Sequence, residues 1–378
     1  MQPREKSKPK LFHKKRRDGM KEELICGTQQ FKNDSIIWSF ELQKMDREYT
    51  YKYAYYIWKE QGVIQRFPYQ DLTAEQFIID YPIVESGVYK CQVFIKKETT
   101  LLINKNTKIC AVDKKNMELL ETSFYNEHIY FNDLPIRYVF HESPIKSDIL
   151  VVCFSGISSM EFQGGKPVYN YIKTLEGLPV HRLYILDEFK NKFCYYLGEQ
   201  GNREFERSVN ALITTKANEL EVVSQNIVAV GSSKGGTAAL YYSLTYHYGH
   251  TIVGAPQIRI SDFLKSLSKN VYMQEVFYFL HGENEALMAD YYNNLLYMRM
   301  VENRKKPEMF FHIGDEDYHY QEHLVPFLNY CDSLKIPYKL DIQSYSDHSQ
   351  TGTFFSPFLR NTMVKLINKK RSNDEISY

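Results

Sequence analysis

The stretch Asn226-Ile227-Val228-Ala229-Val230-Gly231-Ser232-Ser233-Lys234-Gly235-Gly236-Thr237-Ala238-Ala239-Leu240-Tyr241-Tyr242 sets the fold expected of this chain. A short apolar run leads into Gly-Ser-Ser-Lys-Gly-Gly and then into helix formers, the layout of a buried strand, a tight turn and a helix. Within it, Gly231-x-Ser233-x-Gly235 has the form of a nucleophile elbow. Glycines are required at both places because strand and helix backbones nearly touch there and a Cβ would clash. Ser233 then stands at a helix N-terminus, where the backbone N–H of Lys234 can stabilise an oxyanion. A five-residue match also suits any glycine-rich strand-to-helix turn, so the flanking segments must supply the chemistry.

A serine hydroxyl needs a base to take its proton, and the base needs a buried acid to orient it. The expected chain order after an elbow is serine, acid, histidine, with acid and histidine in loops after late strands. After the apolar run ending at Ile313 comes Gly314-Asp315-Glu316-Asp317, and after the run ending at Tyr345 comes Ser346-Asp347-His348-Ser349. His348 is the candidate base and Asp317 the candidate acid, with Asp315 as the alternative acid. His319 reads as an exposed histidine at a helix start rather than a group supporting Asp317, and Asp187 and Glu188 as ordinary strand-end carboxylates rather than groups facing the same cleft. A second oxyanion donor is expected from the loop after an early strand, where Ser155-Gly156-Ile157 stands; the N–H of Ile157 is the candidate.

Around these segments the chain alternates strands and helices from Ile136 onward, which implies a mostly parallel sheet with crossover helices. Strands are expected at Ile149–Phe154, His181–Asp187, Thr251–Pro256, Glu308–Ile313 and Tyr338–Tyr345. Helices are expected over 202–220 and from Thr353 to Asn368. Residues 260–304 read as helical, either a cap or a crossover pair. Upstream, Ser35–Phe40, Tyr51–Trp58, Val63–Phe67, Gln76–Ile79 and Val88–Ile95 read as β-strands. Tyr89, two residues before Cys91, matches a strand of immunoglobulin-like sandwiches, here without a convincing disulfide partner. Residues 97–135 read as a polar connection. The expected division is a basic tail over 1–30, an Ig-like β-rich domain over 31–115, an α/β catalytic domain over 116–370 and a frayed end over 371–378.

Composition narrows the function classes. Of 378 residues, 43% are hydrophobic and 25% charged, an ordinary globular balance, and the length suggests two domains. A net charge of +1 argues against nucleic-acid binding by the folded body. Positive charge is concentrated in Arg4, Lys6, Lys8, Lys10, Lys14, Lys15, Arg16 and Arg17, against Glu5 alone. Such a run is a solvated tail that could meet an anionic membrane surface or a polyanionic glycan. No apolar stretch is long enough to span a membrane, and the N-terminus has no signal-peptide core. The six cysteines lack paired spacing and read as reduced thiols of a cytoplasmic protein; no metal site is expected.

The block from Val151 to His348 resembles the α/β-hydrolase-fold proteins of bacterial capsular polysaccharide biosynthesis (the XcbB/CpsF type). It is more distantly similar to the glycan O-acetyltransferase of the accessory secretion system. The resemblance rests on Phe154 to Gly156, Tyr195-Tyr196-Leu197-Gly198, Gly231 to Tyr242, Gly254 to Gln257, Gly314 to Asp317 and Asp347-His348. Lys234 and the lack of an HGGG run depart from ordinary esterases. The resemblance implies acyl transfer through an acyl-Ser233 intermediate, with acetyl-CoA as candidate donor rather than a bound cofactor, and a capsule precursor or polymer as acceptor. Esterase action by the same residues, or a non-catalytic place in a capsule assembly complex, are the alternative readings.

Overall fold

The computed structural model describes residues 22–302 and 305–376; the basic run at 1–17 lies outside the described residues. The chain forms two compact units, divided between Glu121 and Thr122, slightly beyond the boundary expected from sequence.

The first unit holds β1 (Glu23–Lys32), β2 (Ser35–Gln43), β3 (Tyr51–Lys59), β4 (Gly62–Asp71), β5 (Gln76–Pro82), β6 (Gly87–Lys97), β7 (Thr100–Asn106), β8 (Cys110–Asp113) and β9 (Glu118–Leu120). They build a three-stranded sheet, β1-β2-β5, and a six-stranded one, β4-β3-β6-β8-β9 with β7 also on β6. Every pairing is antiparallel. Alternation sets the inward faces: Ile36, Trp38, Phe40 and Leu42 of β2 and Tyr89, Cys91, Val93 and Ile95 of β6 fill one shared core. The Tyr89 hydroxyl donates to the Glu85 carbonyl at 2.9 Å, and Cys26 and Cys91 are free thiols.

Two expectations are corrected. Strand β1 occupies residues assigned to the tail; a register shift between Cys26 and Gln29 breaks its alternation, so its pattern is not legible as a strand. Residues 97–135 carry β7, β8 and β9, because short apolar pieces such as Leu101 to Ile103 and Ile109 to Val112 find partners on β6 and on each other.

The second unit is an α/β sheet of β10 (Glu127–Phe131), β11 (Pro135–His141), β12 (Leu150–Phe154), β13 (His181–Ile185), β14 (Ile227–Ser232), β15 (His250–Gly254), β16 (Glu308–Gly314) and β17 (Tyr338–Gln343). Their order is β10-β11-β13-β12-β14-β15-β16-β17. Strands β12 to β17 pair in parallel, while β10 and β11 form an antiparallel edge. Helices α1 (Ile172–Leu175), α2 (Glu204–Glu219), α3 (Lys234–Tyr246), α4 (Ile260–Ser266), α5 (Val271–His281), α6 (Glu285–Glu302), α7 (Val325–Ser333) and α8 (Thr351–Ile376) cover both faces. Successive strand residues feed opposite cores. Leu150, Val152 and Phe154 join α2 to α7 on one side, whereas Val151 and Cys153 join α1 and α8 on the other. A sheet buried on both faces needs continuous apolar strands, and β12 and β14 are buried throughout. Helix α8 runs on to Ile376, through residues expected to fray, since no Gly or Pro follows Pro357 to end it.

The chain leaves β12 toward β13 on one side and returns to β14 on the other. The carboxyl ends of β12 and β14 therefore diverge at a switch in strand order, the place where open α/β sheets form a crevice. Among the described residues, no helix is long and apolar enough to cross a membrane.

Candidate active site

The turn between β14 and α3 stands at that crevice. Its tightness is set by glycines: a Cβ on Gly231 would lie 2.3 Å from the Gly235 carbonyl oxygen, and one on Gly235 would lie 2.2 Å from that of Phe154. Ser233 itself is held at φ 54°, ψ −126°, a conformation that a non-glycine residue adopts at a cost of about 1–3 kcal/mol. Bonds from the Ser233 N–H to the Gly254 carbonyl (2.8 Å) and from the Thr237 N–H to the Ser233 carbonyl (3.1 Å) hold it there. The strained turn lifts the hydroxyl out of the sheet, at the end of α3 where unpaired N–H groups and the helix dipole favour negative charge.

His348 Nε2 lies 3.1 Å from Ser233 Oγ, across 115 positions of sequence. Its Nδ1 lies 2.8 Å from Asp317 Oδ2. The serine, histidine and carboxylate thus form one hydrogen-bonded chain supplied by the turns after β14, β17 and β16. Asp347 caps the turn that carries His348 by accepting from the Ser349 N–H at 2.9 Å. Asp315 is exposed and makes no bond to His348 among the described residues; its N–H only extends the edge pairing to Gln343.

Asp317 is buried and heavily bonded. Its Oδ1 accepts from the His319 backbone N–H (2.9 Å) and faces His319 Nδ1 (3.2 Å); the Thr351 hydroxyl approaches Oδ2 at 3.5 Å. Burial alone would push this carboxyl up, but the bonds from His319 and His348 outweigh it and hold it well below the usual carboxylate range. His319 is wholly buried, which corrects the exposed position expected for it. Burial pulls His319 down to about 4 despite its bond to Asp317, so at neutral pH it is an uncharged donor to the carboxylate. Asp317, His319 and His348 bring ligand-capable atoms within 4.8 Å of one another, the one such metal-compatible group among the described residues. These atoms already face each other in hydrogen bonds.

The loop after β12 runs beside the serine turn, since Phe154 pairs with Gly231 and a Cβ on Gly156 would lie 3.1 Å from the Ser232 carbonyl oxygen. The Gly156 N–H is taken by Asn170 Oδ1 at 2.8 Å, while among the described residues the next N–H, that of Ile157, has no bonding partner. Tyr196 braces this loop: its hydroxyl meets Ser155 N and Oγ at 2.6 and 2.8 Å and donates to the Ile185 carbonyl. The side chain of Lys234 turns away from the crevice into the core, 3.0 Å from Asp187, and both groups are fully buried. Asp187 is therefore a structural counter-charge. Glu188 pairs with Arg137 at 3.1 Å.

One neighbour of the serine lies outside the candidate site residues read from sequence. Gln257, in the turn after β15, donates Nε2 to Ser233 Oγ at 2.8 Å. The signals that point to it are its place in Gly254-Ala255-Pro256-Gln257, directly after a parallel strand next to β14, and the presence of that segment among those that carry the resemblance.

No family model matches the sequence, and no curated protein matches it. Solved structures do share its fold. The capsule O-acetyltransferase of Neisseria meningitidis serogroup A aligns with TM-score 0.51 and 21% identity over 61% of this chain and 94% of its own. A histidine-to-alanine variant of that protein in complex with CoA gives TM-score 0.52 and 20% identity, over 61% and 96%. The glycosylation-associated protein (Gap123) complex from Streptococcus agalactiae aligns with TM-score 0.51 and 13% identity over 90% of this chain and 70% of that one. At these identities the likeness is one of fold.

Proposed function

We propose that the chain is a serine-dependent acyltransferase with an α/β-hydrolase-like catalytic unit, transferring acetyl from acetyl-CoA to a hydroxyl of a capsule glycan or its precursor. The observation that carries this reading is the unbroken chain Ser233–His348–Asp317 at the switch point of the sheet. His348 takes the Ser233 proton as Oγ bonds to the acyl carbon, then passes it to the departing thiolate. In the second half, His348 takes the proton of the acceptor hydroxyl, that oxygen bonds to the acyl carbon, and the C–Oγ bond breaks with the proton returned to Ser233. Asp317 stays ionised and fixes the imidazole so that Nε2 faces the serine. The N–H groups of Lys234 and Ile157 receive the carbonyl oxygen as it gains charge.

The acceptor class is supported by the resemblance to capsule-biosynthesis proteins and by the capsule O-acetyltransferase of Neisseria meningitidis among the fold neighbours; that neighbour's bound CoA supports the donor. We read the N-terminal sandwich as Ig-like, supported by the Tyr89 hydroxyl bonded back to Glu85. We also assign the basic run at 1–17 a contact with an anionic membrane surface or a polyanionic glycan, and the chain a place beside partners in a capsule assembly complex.

A fluorophosphonate probe should label Ser233 in the wild type and not in Ser233→Ala; absence of label would leave the non-catalytic reading. Incubation with acetyl-CoA and capsule oligosaccharide should yield O-acetylated sugar. Release of free acetate at the same rate with and without the sugar would replace transfer by hydrolysis.

A further inference from the structure

Among the described residues Ser233 Oγ has two partners, and the second one does a different job from the base. Gln257 is 1% exposed, and its amide is clamped at both ends: Nε2 donates to Ser233 Oγ at 2.8 Å, while Oε1 accepts from the Tyr195 hydroxyl at 2.6 Å. Its backbone is fixed as well, N–H to Thr237 Oγ1 at 3.0 Å and carbonyl from the same hydroxyl at 2.9 Å. A carboxamide can sit in its site in either of two orientations. With Oε1 toward the serine, it would accept the hydroxyl proton and draw it away from His348. The Tyr195 hydroxyl, donating to Oε1, selects the orientation that leaves a donor on Oγ and the serine proton free for the imidazole.

Tyr195 reaches this position from a strained segment. Tyr195 and Tyr196 stand at φ 55° and 60°, consecutive non-glycine residues in left-handed backbone, and both rings are buried. Such conformations persist only where surrounding packing imposes them, and they gather at functional sites. Here they send one hydroxyl to Gln257 and the other to the loop after β12, so one kink braces both sides of the serine.

We propose that Gln257 is a further catalytic residue, donating to Ser233 Oγ as that oxygen gains and sheds charge, with Tyr195 as the positioning residue that orients its amide. This rests on Ser233 being the nucleophile. The oxygen is a good acceptor as hydroxyl or alkoxide and a poor one as the bridging oxygen of an acyl ester. The bond is therefore strongest when Oγ is attacking or being expelled and weakest in the acyl-enzyme. An interaction made more strongly in the transition states than in the intermediate raises turnover rather than binding. In the second half-reaction the C–Oγ bond breaks, the electron pair stays on Oγ under the Gln257 N–H, and His348 delivers the proton. Nothing further is consumed.

The test uses the full chain, with p-nitrophenyl acetate as donor and fluorophosphonate labelling of the wild type as the prior control. Gln257→Met keeps length and removes the donor; Tyr195→Phe keeps the ring and removes the orienting hydroxyl. Gln257→Met should lower kcat by about 10- to 100-fold with KM nearly unchanged, the scale expected for losing a hydrogen bond to a charged group. Tyr195→Phe should lower kcat by a smaller factor, again without a change in KM. Cooperative thermal unfolding checks each variant; if Gln257→Met fails it, Tyr195→Phe decides by the same split. An unchanged kcat in a folded variant, or a change confined to KM, overturns the role of Gln257. A wild type that takes no label at Ser233 instead overturns the serine reading, and does so before any variant is made.

Discussion

The imidazoles of His319 and His348 lie with ring centroids 4.0 Å apart, and each turns Nδ1 toward a different oxygen of Asp317. One carboxylate is thus held from two sides, with the buried ring beneath fixing the angle at which it meets the ring above. Replacing His319 by Phe removes a bond to Oδ1 and leaves the packing volume. The expected result is a fall of about 10-fold in the rate of fluorophosphonate labelling at Ser233. His319→Asn, which can still donate to the carboxylate, should recover part of it. Equal rates in all three proteins would limit His319 to packing.

The choice between the two acids can be read directly. Asp317→Asn should lower turnover by about 10³- to 10⁴-fold, since the amide no longer stabilises the imidazolium or selects its tautomer. Asp315→Asn should leave turnover at the wild-type level, because Asp315 is exposed and does not bond to His348. A loss in the second variant matching the first would move the acid to Asp315.

Acid should weaken the second unit in a defined window. Burial holds His319 at about 4 and His323, with added repulsion from His319 and Arg259, at about 3. An unfolded histidine takes its proton near pH 6.5, so between about 6.5 and 4 the unfolded chain binds more protons than the folded one. Depressed values in the folded state mean that stability is complete above pH 6.5 and falls as pH drops through that range. Urea unfolding at stepped pH should show this slope, and His323→Leu should flatten it if the variant remains folded. A slope unchanged in that variant would remove His323 from the account.

The Lys234–Asp187 pair lies wholly out of water, with the Lys234 ammonium 4.9 Å from the centre of the Phe193 ring. Removing one partner strands the other charge, so Lys234→Met or Asp187→Leu alone should cost about 3–5 kcal/mol, whereas the double variant should recover much of the loss. A double-mutant cycle by chemical denaturation measures it. Additive losses would show that the two groups do not compensate each other.

Backbone approach at the serine turn gives a ranking. An alanine at 235 would place Cβ 2.2 Å from the Phe154 carbonyl oxygen, against 3.2 Å from that of Gly254 for an alanine at 236. Gly235→Ala should therefore destabilise by about 1–3 kcal/mol or more and abolish labelling of Ser233, with a milder effect for Gly236→Ala. Thermal unfolding and labelling compared between the two variants check the order.

The amino-acid sequence by itself determined the serine turn, the continuous apolar runs that bury β12 and β14, and the loops that present Asp317 and His348. Each depends on local chemistry: glycines where backbones touch, unbroken apolar runs, and a polar break after each strand. It could not show that His319 is buried, that Lys234 turns inward to Asp187, or that Gln257 and Tyr195 reach the serine. The same holds for β1 and the strands within 97–135, whose weak patterns become strands only through pairing. The physical reason is common to all of these. A residue's local sequence restricts its own backbone, but its burial and hydrogen-bond partners are set by segments tens to a hundred positions away, and those meet only when the sheet assembles.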